Sequence, residues 1–407
     1  MESLSDKLKS LGVHLGTEHL KPASKPVKTS YPIEEVLQGV EEITQLGSAF
    51  IVYNNYSADY SHGLCKLCAT PDLRLIAQWG KTTRLPQIDP QKILFLDTET
   101  SGLAGGTGTF AFLIGLGYQA SDGFRLIQLF LREPGQEPAL LAALARIIAP
   151  FEAVVTFNGK SFDIPLLKTR HILNSIPSPF SEIEHIDMLP LARRIWRNRL
   201  PSRALGDLET AILEVARAQE EVPGWLVPQI YFDYLNTGDA RPLAGVFYHN
   251  SMDILSLAGL FNYVAEMLND PLIATEIDSL DMIAIARLYE ELGYLESAIT
   301  FYEHSLHQGM PEPFFIQTLQ RFALLYRRQG AWDAAVRLWE KAVEHEQVDA
   351  CVELAKYYEH QKKDYSEAIR WTRIGLNWVE NDRRFPDRQA WLQELSRRLS
   401  RLNKKQS

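Results

Sequence analysis

The chain has 407 residues, more than one hydrophobic core usually spans, so two or three domains are expected. Its composition, 46% hydrophobic and 23% charged, is typical of a globular protein, and a net charge of −9 excludes a protein that coats nucleic acid through overall positive charge. The start lacks the apolar core of a signal peptide and no apolar run reaches the ~20 residues that span a bilayer, so we expect a cytoplasmic protein without membrane contact.

Residues 1–90 carry few structural signals. Prolines interrupt the early part, and the apolar stretch at 49–53 favours one of a few strands, so this segment is predicted to be an N-terminal lead-in without chemistry. Cys65 and Cys68 follow His62, which raises the alternative of a metal site. A structural zinc needs four ligands and no second pair of this kind follows, so buried cysteines are the favoured interpretation.

Residues 91–270 have the pattern of an α/β domain. The apolar run at 93–96 is typical of a strand covered on both faces, and it ends at Asp97. Apolar stretches then alternate with amphipathic ones, which indicates a central mixed sheet flanked by helices. The predicted elements are strands at 93–96, 109–118, 124–131 and 153–157, and helices at 137–148, after Asp163 and at 245–267.

Two carboxylates close the first of these strands. Asp97 and Glu99 are two residues apart, and the alternation of a strand places them on one face, where both can reach the same cation. A pair of this kind is common in proteins. Its interpretation as a metal site therefore depends on further acids that converge on it.

Two later stretches supply such acids. Asp163 begins a helix, where it is either a helix cap or a metal ligand. His249 and Asp253 share one face of the long helix, either as a surface pair bonded to each other or as a base beside a metal ligand. Four converging acids would repel one another without cations, and carboxylates suit hard divalent ions such as Mg²⁺ or Mn²⁺. Together these residues predict a two-metal site that cleaves phosphodiesters.

These motifs resemble those of a known family. The stretches at 95–103, 158–167 and 249–253 look like the three motifs of the DEDD exonuclease superfamily and, within it, of the YprB-like group. The resemblance implies a ribonuclease H-like fold and a 3′ to 5′ exonuclease that uses two Mg²⁺ or Mn²⁺ ions. It implies as metal ligands the acids Asp97, Glu99, Asp163 and Asp253.

The third motif departs from that family. In that family, either a histidine lies five residues before the last aspartate or a tyrosine lies four residues before it. Here the two residue types are interchanged, since Tyr248 lies five residues before Asp253 and His249 lies four before it. On a helix, His249 is one turn from Asp253 and Tyr248 is rotated away. We therefore expect His249 to orient or deprotonate the attacking water, with its exact role left open.

Further residues are predicted near the substrate. Asp187 is either an additional acid of the site or the cap of the helix that follows it. Asn158 in the second motif is expected to bind the nucleic acid, and the glycine-rich stretch at 102–108 is expected to let the substrate backbone approach. A basic and aromatic cluster on the helix after Asp187 is able to bind phosphates and stack on a base, although a solvated helix face is an equal alternative. Its members are Arg193, Arg194, Trp196 and Arg197.

Residues 275–402 predict helices only and contain a repeat. Small residues and turn glycines recur at similar spacing, which resembles tetratricopeptide repeats, with an ordinary helical bundle as the alternative. Tyr289, Gly293, Ala298 and Tyr302 recur 37 residues later as Tyr326, Gly330, Ala335 and Trp339.

The expected protein is thus an α/β ribonuclease H-like nuclease domain followed by an all-α repeat. Its substrate would be an end of DNA or RNA, single-stranded by preference, and the repeat would recruit a protein partner or extend the substrate path. An inactive nuclease-fold scaffold and a structure-selective endonuclease are the alternatives.

Overall fold

The computed structural model describes residues 31–102, 108–217, 222–269 and 277–406, and its centre is a mixed sheet. The strands in these residues are β1 (Gly39–Thr44), β2 (Gly47–Ser57), β3 (Ser61–His62), β4 (Cys65–Lys66), β5 (Ile93–Thr100), β6 (Ala111–Ala120), β7 (Gly123–Phe130), β8 (Ala153–Thr156) and β9 (Glu184–Asp187). Seven of them form one sheet in the order β1-β2-β7-β6-β5-β8-β9, while β3 and β4 form a small hairpin. The pairs from β1 to β5 are antiparallel, and β8 and β9 continue parallel to β5.

Helices cover both faces of this sheet. Leu94 and Leu96 of β5 face one core, and Ile93 and Phe95 face the other, which explains why the whole run is apolar. Among the described residues up to 269, the α-helices are α1 (Ile33–Val36), α2 (Arg74–Gly80), α3 (Glu137–Ile148), α4 (Asp163–Leu173), α5 (Met188–Trp196), α6 (Leu205–Ala211), α7 (Val227–Thr237) and α8 (Leu243–Asn269). The predicted mixed sheet flanked by helices is confirmed.

Part of the predicted lead-in belongs to this sheet. Residues 50–57 of strand β2 pair with β7, and its residues Ala49 to Val52 are buried. The described portion of residues 1–90 is therefore not separate from the α/β domain, because the apolar stretch at 49–53 needs the sheet to bury its side chains.

Two glycines on β6 allow α8 to approach the sheet closely. A Cβ atom on Gly115 would lie 2.3 Å from Asn250 Oδ1, and one on Gly117 would lie 2.5 Å from Ile254 Cγ2. Asn250 and Ile254 are one helical turn apart, so both positions of β6 receive the same face of α8. This contact brings α8 to the middle of the sheet, beside the end of β5.

The C-terminal region is all-helical over the residues described, as predicted. Gly293 and Gly330 have positive φ values of 89° and 77° and end the helices before them. The helices are α9 (Ser279–Leu292), α10 (Leu295–Gln308), α11 (Glu312–Arg328), α12 (Trp332–Val343), α13 (Val348–Tyr357), α14 (Tyr365–Asn381) and α15 (Arg388–Gln406). Their assignment to tetratricopeptide repeats stays a prediction. Among the described helices, none is both long and apolar enough to cross a membrane.

Candidate metal centre

The end of strand β5 presents two acids to helix α8. Asp97 and Glu99 continue the face of β5 that carries Ile93 and Phe95, and Asn250 of α8 donates a hydrogen bond of 3.1 Å from Nδ2 to Asp97 Oδ2. The β-sheet thus positions the acids, and the helix reaches them through the gap that Gly115 leaves.

Asn250 is itself held by the sheet. It is fully buried, and its Oδ1 accepts a 3.0 Å hydrogen bond from Gln128 Nε2. In the register of the sheet, Asp97 lies opposite Gly115 and Gly115 lies opposite Gln128, so the three form one row across β5, β6 and β7. Asn250 lies across this row and holds the Asp97 carboxylate through its hydrogen bond.

Three side chains come close enough to share one cation. Glu99, His249 and Asp253 each offer a ligand atom, and these atoms lie within 4.8 Å of one another. His249 Nε2 is 3.5 Å from Asp253 Oδ2 and 3.9 Å from Glu99 Oε1. Two carboxylates and one imidazole can hold a divalent cation, and carboxylate oxygens are the ligands that Mg²⁺ and Mn²⁺ prefer.

Asp163 approaches the strand beside this group. It is the first residue of α4, and its Oδ1 accepts a hydrogen bond from Thr98 Oγ1, the residue between the two acids of β5. Neither Asp163 nor Asp97 belongs to the group of three within 4.8 Å. Asp163 nevertheless lies close enough for its charge to act on both Glu99 and Asp97. The charge of Glu99 also acts on Asp97.

The acids destabilise one another in their charged forms. Burial raises the pKa of Asp97 well above its ordinary value, and the carboxylates of Asp253, Asp163 and Glu99 add to the rise. Burial also raises the pKa of Glu99 to about 7, with His249 opposing the rise, and the pKa of Asp163 to about 6, with Thr98 opposing it. Burial raises the pKa of Asp253 as well. The cluster therefore favours either protons or an added cation.

These raised pKa values predict how metal and pH act together on stability. Between the ordinary carboxyl pKa and about 7, the folded metal-free protein holds protons that the unfolded chain has released, so its free energy of unfolding falls as the pH rises. A divalent cation offsets that loss. We expect ~5 mM Mn²⁺ to raise the melting temperature by about 5 °C at pH ~7.5 and by much less at pH ~5.5.

The measurement is a thermal melt at both pH values, with and without Mn²⁺. A matched variant, Glu99→Gln, is expected to lose most of the Mn²⁺ effect at the higher pH. An equal effect of Mn²⁺ at the two pH values would show that the cation binds outside the acidic cluster.

An arginine that sequence reasoning missed lies inside the site. Arg217 pairs with Asp253, and its Nη1 lies 3.2 Å from His249 Nδ1. The same guanidinium donates two hydrogen bonds, of 2.9 and 2.8 Å, to the fully buried carboxylate of Glu209 on α6. Neither residue belongs to a recognisable local pattern, so only the fold reveals their position.

Asp187 is a helix cap. Its Oδ1 accepts a hydrogen bond from the backbone N–H of Leu189 at the start of α5. The carboxylate also accepts backbone N–H groups of Asn158 and Lys160, at 2.7 and 3.1 Å. Asn158 has a left-handed φ of 70°, so Asp187 holds the turn that leads to Asp163. The structure thus favours capping over an additional ligand.

The predicted basic and aromatic cluster on α5 faces the C-terminal helices in part. Trp196 is only 1% exposed and packs in the core with residues of α9. The prediction that its ring stacks on a base is therefore wrong. Arg194 pairs with Glu291 of α9 at 2.5 Å, whereas Arg193 and Arg197 are exposed. The apolar face of α5 is strongly segregated, and a tryptophan on that face is buried with it.

Tyr248 and His249 lie on different sides of helix α8. His249, and not Tyr248, faces Glu99 and Asp253, while Tyr248 packs against the hydrophobic core. Most of the glycine-rich stretch at 102–108 lies outside the described residues. Burial raises the pKa of the Cys65 thiol to about 12, which agrees with a buried structural cysteine.

Comparisons with known proteins cover the same part of the chain. A family model described as the RNase_H superfamily matches residues 94–265, a span that includes every acid of the cluster. The chain is also similar to a protein of Bacillus subtilis (strain 168) named "Uncharacterized protein YprB". The two are 32% identical in an alignment of 327 residues that covers 77% of each chain.

Proposed function

Since the chain belongs to the same family as YprB and its residues 94–265 match the RNase H superfamily, we propose that it is a metal-dependent nuclease. The observation that carries this proposal is the meeting of Glu99, His249 and Asp253 within 4.8 Å, next to the half-buried Asp97 and the buried Asp163. The reaction is hydrolysis of a phosphodiester of DNA or RNA, as a 3′ to 5′ exonuclease.

The proposed ligands are Asp97, Glu99, Asp163 and Asp253, which would hold two Mg²⁺ or Mn²⁺ ions. When bound, such ions supply Lewis-acid chemistry that activates water and stabilises the leaving oxygen. The chain contributes the rest. Asn250 fixes the orientation of Asp97, and Thr98 fixes that of Asp163. His249 holds its Nε2 toward Glu99 and Asp253, where it would act as the base that takes a proton from the attacking water.

Two exposed aromatic side chains support an unpaired strand as substrate. Phe162 precedes Asp163 directly and is 56% exposed. Trp225 is 73% exposed and follows Gly224, where a Cβ atom would lie 3.8 Å from His249 Nε2. Large apolar rings are rarely left in water beside a site without a ligand to cover them, and unpaired bases stack on such rings.

Replacement of Trp225 by alanine is expected to weaken the binding of a single-stranded oligonucleotide about tenfold, because stacking of one base contributes ~1–3 kcal/mol. Fluorescence anisotropy of a labelled strand in Ca²⁺ measures this. Trp225→Phe should retain most of the affinity, and Tyr294→Ala, a change of an aromatic residue 43% exposed on the C-terminal helices, should retain all of it. Equal affinity of Trp225→Ala and the unaltered protein would remove the stacking site.

The function itself is tested on labelled linear and circular single strands of DNA and RNA with Mg²⁺ or Mn²⁺. An exonuclease degrades the linear strand stepwise from its 3′ end and spares the circle. Cleavage of the circle would instead favour the endonuclease, and no cleavage of any strand would favour a scaffold that acts through its helices α9 to α15. The proposed role of those helices is to bind a protein partner or to extend the path of the substrate.

A further inference from the structure

The hairpin of strands β3 and β4 lies against α8, the helix that carries part of the metal centre. The backbone N–H of Leu64, in the turn of this hairpin, donates a 2.9 Å hydrogen bond to the carbonyl of Leu213. A Cβ atom on Gly259 of α8 would lie 3.7 Å from the Cβ atom of Cys65. The hairpin therefore contacts both α8 and the segment that leads to Arg217.

His62 of β3 begins a buried chain of hydrogen bonds at this contact. Its Nε2 lies 2.8 Å from Ser256 Oγ, and Ser256 Oγ donates to the carboxylate of Glu209. Because the hydroxyl donates its one proton to Glu209, its oxygen accepts from His62 Nε2. All three side chains are buried. A buried polar network is strong only while each of its groups keeps its partner.

The chain continues through Arg217 to Asp253. Nε and Nη2 of Arg217 donate to Glu209 at 2.9 and 2.8 Å, and Nη2 also donates to Asp253 Oδ1. The other oxygen, Asp253 Oδ2, lies 3.5 Å from His249 Nε2, within the group that can share a cation. A hydrogen bond to one oxygen of a ligating carboxylate fixes the direction of the other. Arg217 thus sets the direction of Asp253.

We propose that His62 is a positioning residue of the metal centre, which it reaches through Ser256, Glu209 and Arg217. The inference rests on the proposed metal-dependent function. Loss of His62 leaves Ser256 without a donor, frees its hydroxyl to turn away from Glu209, and loosens the anchor of Arg217. Burial lowers the pKa of His62, so its ring is neutral at neutral pH and its removal leaves the charge of the site unchanged.

The test is calorimetric binding of Mn²⁺ to the full chain with His62→Leu or Ser256→Ala. Each variant should weaken Mn²⁺ binding about tenfold, the low end of what partners of metal ligands contribute. The double variant should be no weaker than either single one, because both break the same chain. His62→Gln keeps an amide N–H near the place of Nε2 and should restore the affinity to within about threefold. The paramagnetic resonance spectrum of bound Mn²⁺ should change in His62→Leu and be regained in His62→Gln.

Cys65→Ala is a matched control, because Cys65 is buried on the same hairpin and is not a member of the hydrogen-bonded chain. It should lower the melting temperature and leave Mn²⁺ binding unchanged. Unchanged Mn²⁺ binding in His62→Leu and Ser256→Ala would overturn the inference, as would an equal loss in Cys65→Ala or in His62→Gln. In those cases the metal centre itself stands. If the unaltered protein binds no Mn²⁺, the proposed function fails as well.

Discussion

Replacement of Asp97 by alanine is expected to abolish Mn²⁺-dependent degradation of a labelled single strand, with a loss of at least about 10³-fold in rate. Asp97 lies on the same strand face as Glu99, and the charges of Asp253, Asp163 and Glu99 all act on it. Loss of one ligand from a two-metal site removes several kcal/mol of charge stabilisation, and each ~1.4 kcal/mol is a factor of ten. The measurement is the rate of mononucleotide release by the purified variant.

The control is Asp97→Asn, which keeps the shape of the side chain. Because burial and three neighbouring acids destabilise the charged form of Asp97, this variant should melt at a higher temperature than the unaltered protein without metal. Greater stability together with lost activity would exclude misfolding as the cause. Undiminished degradation by either variant would refute the assignment of Asp97 to the metal site.

Replacement of Gly115 by alanine is expected to lower the free energy of unfolding by about 2 kcal/mol and the rate of degradation by about 100-fold. The new Cβ atom would lie 2.3 Å from Asn250 Oδ1, so the Asn250 side chain must move. Its movement breaks the hydrogen bonds to Asp97 and from Gln128. Urea denaturation and the rate of mononucleotide release measure the two effects.

Gly206→Ala provides the comparison for this variant. Gly206 lies in helix α6, where a Cβ atom would meet nothing within 4 Å. Alanine is the better helix former, so we expect Gly206→Ala to stabilise the protein by about 0.5–1 kcal/mol and to leave the rate unchanged. If Gly115→Ala behaves in the same way, the close approach of α8 to β6 is not what orients Asp97.

The parts of the site that follow local rules were accessible from the sequence. The apolar run before Asp97 predicts the central strand, and the spacing of His249 and Asp253 predicts a shared helical face. Two glycines within an otherwise apolar strand are also a readable sign of close approach by another element. Gly115 and Gly117 carry that sign, although they lie outside the three acidic motifs.

The remaining contacts depend on the tertiary fold. Gln128 reaches Asn250 because the register of three strands aligns it with Gly115, and register is not visible in any one strand. Arg217, in the segment after α6, pairs both with Glu209 of α6 and with Asp253 of α8. Conversely, the arginines around Trp196 resemble a nucleic-acid surface, but its ring lies on the buried face of α5.

The central claim is that the acidic cluster binds divalent cations, and calorimetric titration of the metal-free protein with Mn²⁺ at neutral pH tests it most directly. We predict binding with a dissociation constant of about a millimolar or tighter, and a loss of that binding in Asp253→Asn. Absence of binding in the unaltered protein, or undiminished binding in Asp253→Asn, would contradict a metal centre formed by Glu99, His249 and Asp253.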